Sequence, residues 1–123
     1  MNGLPRRKRR ADDGRFLPRD ALTWRRLIQA ARRAARAPAK YGVDVRAKAD
    51  RAGRAVPPPG YAHRESPFLQ LIAKARLFWP ADPERQAEIG PELARLAEAC
   101  AAALERGDER RSPHVRADIH GGD

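Results

Sequence analysis

The sequence predicts an all-α protein: a small bundle of four to five short helices between a disordered basic N-terminal arm and a polar C-terminal tail. Three observations carry this. Apolar residues recur at helical spacing in several stretches, and none alternates with the period of two that marks a strand. Serine, aspartate, proline and glycine stand at the edges of those stretches, where helices start and stop. The chain has 123 residues, 41% of them hydrophobic, enough for one domain with one modest core. The expected division is an arm over 1–19, a helical domain over 20–106 and a tail over 107–123.

The arm holds Arg6, Arg7, Lys8, Arg9 and Arg10, then Asp12-Asp13-Gly14-Arg15-Phe16-Leu17-Pro18. Dense charge with few apolar residues predicts disorder in isolation. Asp20 is expected to cap a helix over Ala21–Ala37, before Pro38. Trp24, Leu27, Ile28, Ala31, Ala34 and Ala35 form its apolar stripe. Arg25, Arg26, Gln29, Arg32, Arg33 and Arg36 occupy the opposite arc. Three readings of that arc stand side by side: a solvated face, a face that tracks phosphates or lies in a groove, and a membrane-surface helix whose mostly alanine side is too small to embed well. A break over Ala39–Gly42 separates it from a second helix, Val43–Ala55, with Asp44 as cap.

Pro57-Pro58-Pro59-Gly60 favours polyproline II and reads as a stiff connector. Tyr61 and His63 should sit at the rim of the core. The core itself is expected on Ser66–Pro80, which holds two of the three Phe and one of the two Trp. Ser66 suits an N-cap, Pro67 the first helical position and Pro80 the stop. Phe68, Leu71, Ile72, Ala75 and Trp79 share one face, with Leu69, Leu77 and Phe78 off it. Trp79, Phe68 and Ile72 are therefore expected among the most buried side chains, against Leu27 and Leu96. Asp82-Pro83-Glu84 opens the next helix, Gly90-Pro91 interrupts it, and a last helix runs to Arg106 with Gly107 as its stop. Leu93, Leu96, Ala97, Cys100 and Leu104 face inward there. Ala99 and Ala101–Ala103 leave room for a second helix to approach.

Charge is unevenly spread. Residues 1–56 carry 17 basic against 5 acidic side chains, net +12, while 57–123 carry 9 against 11, net −2. A basic half joined to a near-neutral half points to a polyanion on one side. Arginine heavily outnumbers lysine, the habit of a GC-rich genome. A single cysteine excludes an intramolecular disulfide and any cysteine-only metal site. No run approaches the roughly 18 apolar residues of a membrane span, and no apolar stretch follows the arginine pairs as export would need. The cytoplasm of a bacterial host, or a virion, is the expected location.

Chemistry-bearing motifs are absent: no glycine-rich phosphate cradle, no HExxH, no zinc set, no nucleophile elbow. Ser66 is better used as a cap, and Glu84, Glu88, Glu92, Glu98 and Glu105 fit a solvated, salt-bridged face. His114, Asp118 and His120 match no standard metal spacing. Neither catalysis nor a metal or cofactor is expected.

Two stretches resemble known families. Leu77-Phe78-Trp79-Pro80, with the Ala- and Glu-rich run to Ala103-Leu104-Glu105-Arg106-Gly107, resembles actinobacterial WhiB-like regulators. Those hold an iron–sulfur cluster on four cysteines, which Cys100 alone cannot do. Asp13-Gly14-Arg15-Phe16-Leu17-Pro18, behind a basic run, resembles the N-terminal arms of phage terminase small subunits. That resemblance covers about six residues. It implies a helical DNA-binding subunit that oligomerises and serves DNA packaging.

The expectation is thus a non-enzymatic nucleic-acid-binding protein of a phage or mobile element, taking DNA before RNA, chiefly through phosphate contacts. Its candidate residues are Arg6, Arg7, Lys8, Arg9, Arg10 and Arg15 in the arm, and Arg25, Arg26, Arg32, Arg33 and Arg36 on the helix. The alternative is a helical adaptor or structural protein that binds another protein through its near-neutral C-terminal half, and the partners weighed beside nucleic acid are a homo-oligomer and another protein.

Overall fold

The computed structural model describes residues 15–111, with side chains through residue 106. Regular structure among them is entirely helical: α1 Pro18–Arg36, α2 Pro38–Ala52, α3 Pro67–Phe78 and α4 Pro83–Arg111. Each helix opens on proline, whose fixed φ suits the first position and whose missing N–H is an orphan there anyway. α1 and α3 each pack on both α2 and α4, and the diagonal pairs meet much less. The result is a ring of four helices around one core. None of the described helices is long and apolar enough to cross a membrane.

The core is anchored by Trp24, Leu27, Phe68, Leu71, Phe78 and Leu93, all fully buried. Trp24 meets Phe68 edge-on at 5.0 Å between ring centres and 78° between planes. Its indole Nε1–H donates to the Val56 carbonyl at 3.0 Å. Tyr61 also packs edge-on against Phe68, at 5.3 Å between ring centres. Its hydroxyl accepts a hydrogen bond from Arg106. His63, expected beside it at the rim, is exposed. Cys100 is fully buried in the α4 stripe. Burial pushes its thiol up to about 12, so it packs as a small apolar group and holds its proton at neutral pH.

Two starts fall where local chemistry places them. The Ser66 hydroxyl caps α3 by accepting from the Leu69 N–H, and Asp82 caps α4 by accepting from the Arg85 N–H. Pro59-Gly60 closes a β-turn, with Tyr61 N–H on the Pro58 carbonyl and Gly60 at φ +89°. That left-handed position is where glycine carries no penalty.

Other boundaries move, each for a physical reason. α1 begins at Pro18, not Ala21, because Leu17 is the N-cap and Asp20 is the third helical position, from which its carboxylate reaches back to accept from the Leu17 N–H. Phe16, expected in the arm, packs against the core. α2 begins at Pro38, so Tyr41 and Gly42 are helical, not a break. Gly42 is needed there: a Cβ at this position would lie 2.5 Å from Cε3 of the Trp79 ring. α4 is continuous through Gly90-Pro91. Ile89, Leu93 and Leu96 on either side of the proline stay buried. Burial of that stripe offsets the roughly 3 kcal/mol a proline costs a helix interior. Gly107 does not stop α4, which runs on to Arg111.

The phase at the end of α3 also differs. Phe78 is fully buried, Leu77 is 53% exposed and Trp79 is only half-buried. Trp79 is the C-cap, with extended backbone at φ −118° and ψ 114°, so it leaves the helical face it was assigned to. It packs instead on α2, and its carbonyl accepts from Arg46 at 2.9 Å.

Gly42→Ala should therefore destabilise the protein, although alanine is the better helix former by about 1 kcal/mol. Forcing a methyl into the Trp79 ring should cost about 1–3 kcal/mol. Urea melts should show this loss, and most of it should vanish when Trp79→Ala is the background. Iodoacetamide should label Cys100 in native protein only as fast as the fold opens, and rapidly in denaturant.

Candidate nucleic-acid interface

α1 carries six arginines and one acidic residue in 19 positions. Its apolar stripe turns Trp24, Leu27, Ile28, Ala31 and Ala34 into the core. At about 100° per residue the remaining arc must then face outward. Arg19, Arg25, Arg26, Arg33 and Arg36 are exposed on it, together with Gln29 and Leu22. Arg19, Arg26 and Arg33 recur every seventh residue, about 10.5 Å apart along the axis. Among the described residues, no ion pair involves Arg19, Arg26, Arg33 or Arg36. Leu22, Arg25, Arg26, Gln29 and Arg33 line a shallow depression of about 280 Å³ on this face.

Arg32 is set apart from its neighbours. It turns toward α4 and grips Glu98 with both ends of its fork, Nε to Oε2 at 2.7 Å and a terminal nitrogen to Oε1 at 2.9 Å. The Glu98 hydrogen bond raises the Arg32 pKa. The same bond holds the Glu98 carboxyl below the usual carboxylate range. Arg32 is thus a seam residue between α1 and α4 and leaves the candidate set. Arg15 is exposed just before α1. Arg6, Arg7, Lys8, Arg9 and Arg10 lie outside the described residues, as do His114, Asp118 and His120. Among the described residues no cluster of three His, Cys, Asp or Glu is placed to hold a metal.

The carboxylates elsewhere are largely engaged. Asp50 meets Arg76 and Asp44 meets Lys48. Glu92 binds Lys74 at 2.8 Å, which draws its pKa down, and also reaches Arg95. Glu88 pairs with Arg85. The alanine run on α4 is divided: Ala103 is buried in this chain's own core, Ala101 packs against it, and Ala99 and Ala102 face outward. An incoming helix would meet two alanines, not four.

The sequence reading missed Arg19, which it left in the arm. Its signal was Pro18, which starts the helix three residues early and puts Arg19 in phase with Arg26 and Arg33. No family model matches this chain, and no curated protein or solved structure does.

Glu98 and Glu92 have native pKa values below the ordinary one near 4.5. Their stabilising contribution is complete above that ordinary value and lost as pH falls through it and then through the lowered native value. Thermal melts should show little change from these groups between roughly pH 7 and 5 and a decline below about pH 4.5. Glu98→Gln should lower stability at neutral pH and shrink that acid decline.

Proposed function

We propose that the protein is a non-enzymatic nucleic-acid-binding protein that holds DNA phosphates with the outer face of α1. The observation that carries this is the row Arg19, Arg26, Arg33 and Arg36, exposed and without an ion-pair partner among the described residues. Arg25 lies on the same face, and Arg6, Arg7, Lys8, Arg9, Arg10 and Arg15 add charge in sequence immediately before it. Arginine suits the task because its planar fork meets phosphate oxygens in pairs. Each phosphate neutralised releases condensed counterions, which supplies most of non-specific affinity. DNA is favoured over single-stranded RNA because the only aromatic of α1, Trp24, is buried, so its outer face offers bases no stacking platform. A phage or mobile element that handles its own DNA is the setting this reading suits.

The test is a salt titration of duplex DNA binding by fluorescence anisotropy. If ~6–10 phosphate contacts form, affinity should fall by roughly 10³–10⁵ between 50 and 200 mM salt. Changing Arg26, Arg33 and Arg36 together to Gln should reduce the slope of log K against log salt by about 2–3, with an unshifted melting point. Arg32→Gln should do the opposite, lowering the melting point with little change in slope. A slope that the triple change leaves untouched would remove α1 as the contact surface.

A further inference from the structure

Leu22 is the one large apolar side chain exposed on the arginine face. It is 46% exposed in the middle of a charged surface, where a solvated helix gains nothing from a large apolar group. It lies seven residues before Gln29, so the two side chains project within about 20° of one another. Both line the same shallow depression. Arg26 projects about 60° to one side of Gln29 and Arg25 about 40° to the other. Over the two turns from Leu22 to Gln29 the face therefore carries a short uncharged strip, with Arg25 and Arg26 on either side, Arg33 beside it and Arg36 in phase seven residues on; Glu105 borders it next to Arg25.

That arrangement matches duplex DNA seen from the major groove. The groove is about 12 Å wide and admits a helix, with phosphates on both rims and base edges on the floor. Glutamine pairs bidentately with adenine N6 and N7, and an apolar side chain meets the thymine methyl. Resting on the proposal that α1 contacts DNA, we propose that Leu22 and Gln29 read base edges on the major-groove floor while the flanking arginines hold the phosphates. Their separation of about 10.5 Å along the helix corresponds to about three base pairs at 3.4 Å each. The element read is then an adenine and a thymine methyl about three base pairs apart. A second copy of the chain does not suit this face, since two arginine rows would oppose each other. A lipid surface does not either, because Leu22 is the one large apolar group on the outward face of α1.

The experiment selects from a pool of randomised duplexes with the full chain, then compares enriched and scrambled duplexes. Wild type should enrich a short element containing that adenine and thymine. Gln29→Ala should reduce the enriched-to-scrambled affinity ratio roughly 5- to 150-fold, the range for one lost bidentate contact. Its salt slope should stay that of wild type, because no charge is removed. Leu22→Ser should relax the choice at the thymine alone. Both side chains are exposed, and melting curves will verify that each variant folds. A full salt slope with equal affinity for every duplex would refute base reading and leave phosphate binding standing. So would an enriched element that Gln29→Ala leaves intact. Failure to bind any duplex at low salt, or capture of an acidic protein in its place, would overturn both.

Discussion

The structure depends on where Trp24 goes. It is the largest side chain that is fully buried, it sits on the most basic helix, and it reaches across the ring to Phe68 on α3. Burying an indole requires a partner for its N–H, and the Val56 carbonyl supplies one from the end of the α2 segment. One side chain thus ties α1 to α3 and to the segment after α2. It also fixes the rotation of α1 about its own axis. Once Trp24 and Leu27 point inward, the arginines a half-turn away have nowhere to go but out.

Alanine does the complementary work. Ala30, Ala31 and Ala34 on α1, Ala49 and Ala52 on α2 and Ala97 and Ala103 on α4 are all buried. They add little apolar area each, but they cost no side-chain entropy and let helices approach closely. A chain with 34% charged residues and 6% aromatics can build a core this way only if its few large groups converge. Phe68, in edge-on contact with both Trp24 and Tyr61, is where they do.

What was legible in the sequence was what short-range chemistry decides. Ser66, Pro67, Asp82 and Pro83 specify helix starts within one turn, and the stripes on α1 and α4 follow from helical period alone. Gly42, Pro91 and Gly107 are locally helix-breaking, and each is helical here. At Gly42 the Trp79 ring, 37 positions away in the chain, leaves no room for a Cβ inside the helix. For Pro91 the cause is burial of Ile89, Leu93 and Leu96 on both sides of the ring. Trp79 itself was misplaced because a period holds only while the helix does, and the helix ends one residue earlier. In the candidate interface, the outward arc was readable from period. The removal of Arg32 from it was not, since its partner Glu98 is 66 positions away and is brought near only by the packing of α1 on α4.

That pair also sharpens the meaning of the arginines left over. Like charges close on one helix repel: Arg33 and Arg36 stand three residues apart, Arg32 and Arg36 four, each spacing unfavourable by a few tenths of a kcal/mol. Solvated helix faces usually relieve this by mixing signs, as α2 does with Asp44 beside Lys48 and α4 does with Glu88 beside Arg85. The outward face of α1 has no acidic residue at any of its positions from Leu22 to Arg36. The chain has carboxylates to spare and spends them on other surfaces. Arg19, Arg26, Arg33 and Arg36 have no ion-pair partner among the described residues, so their neutralising charge is left to the solvent or a ligand. A polyanion supplies it as a row of fixed phosphates, and the counterions it gives up on binding turn a repulsive surface into an adhesive one.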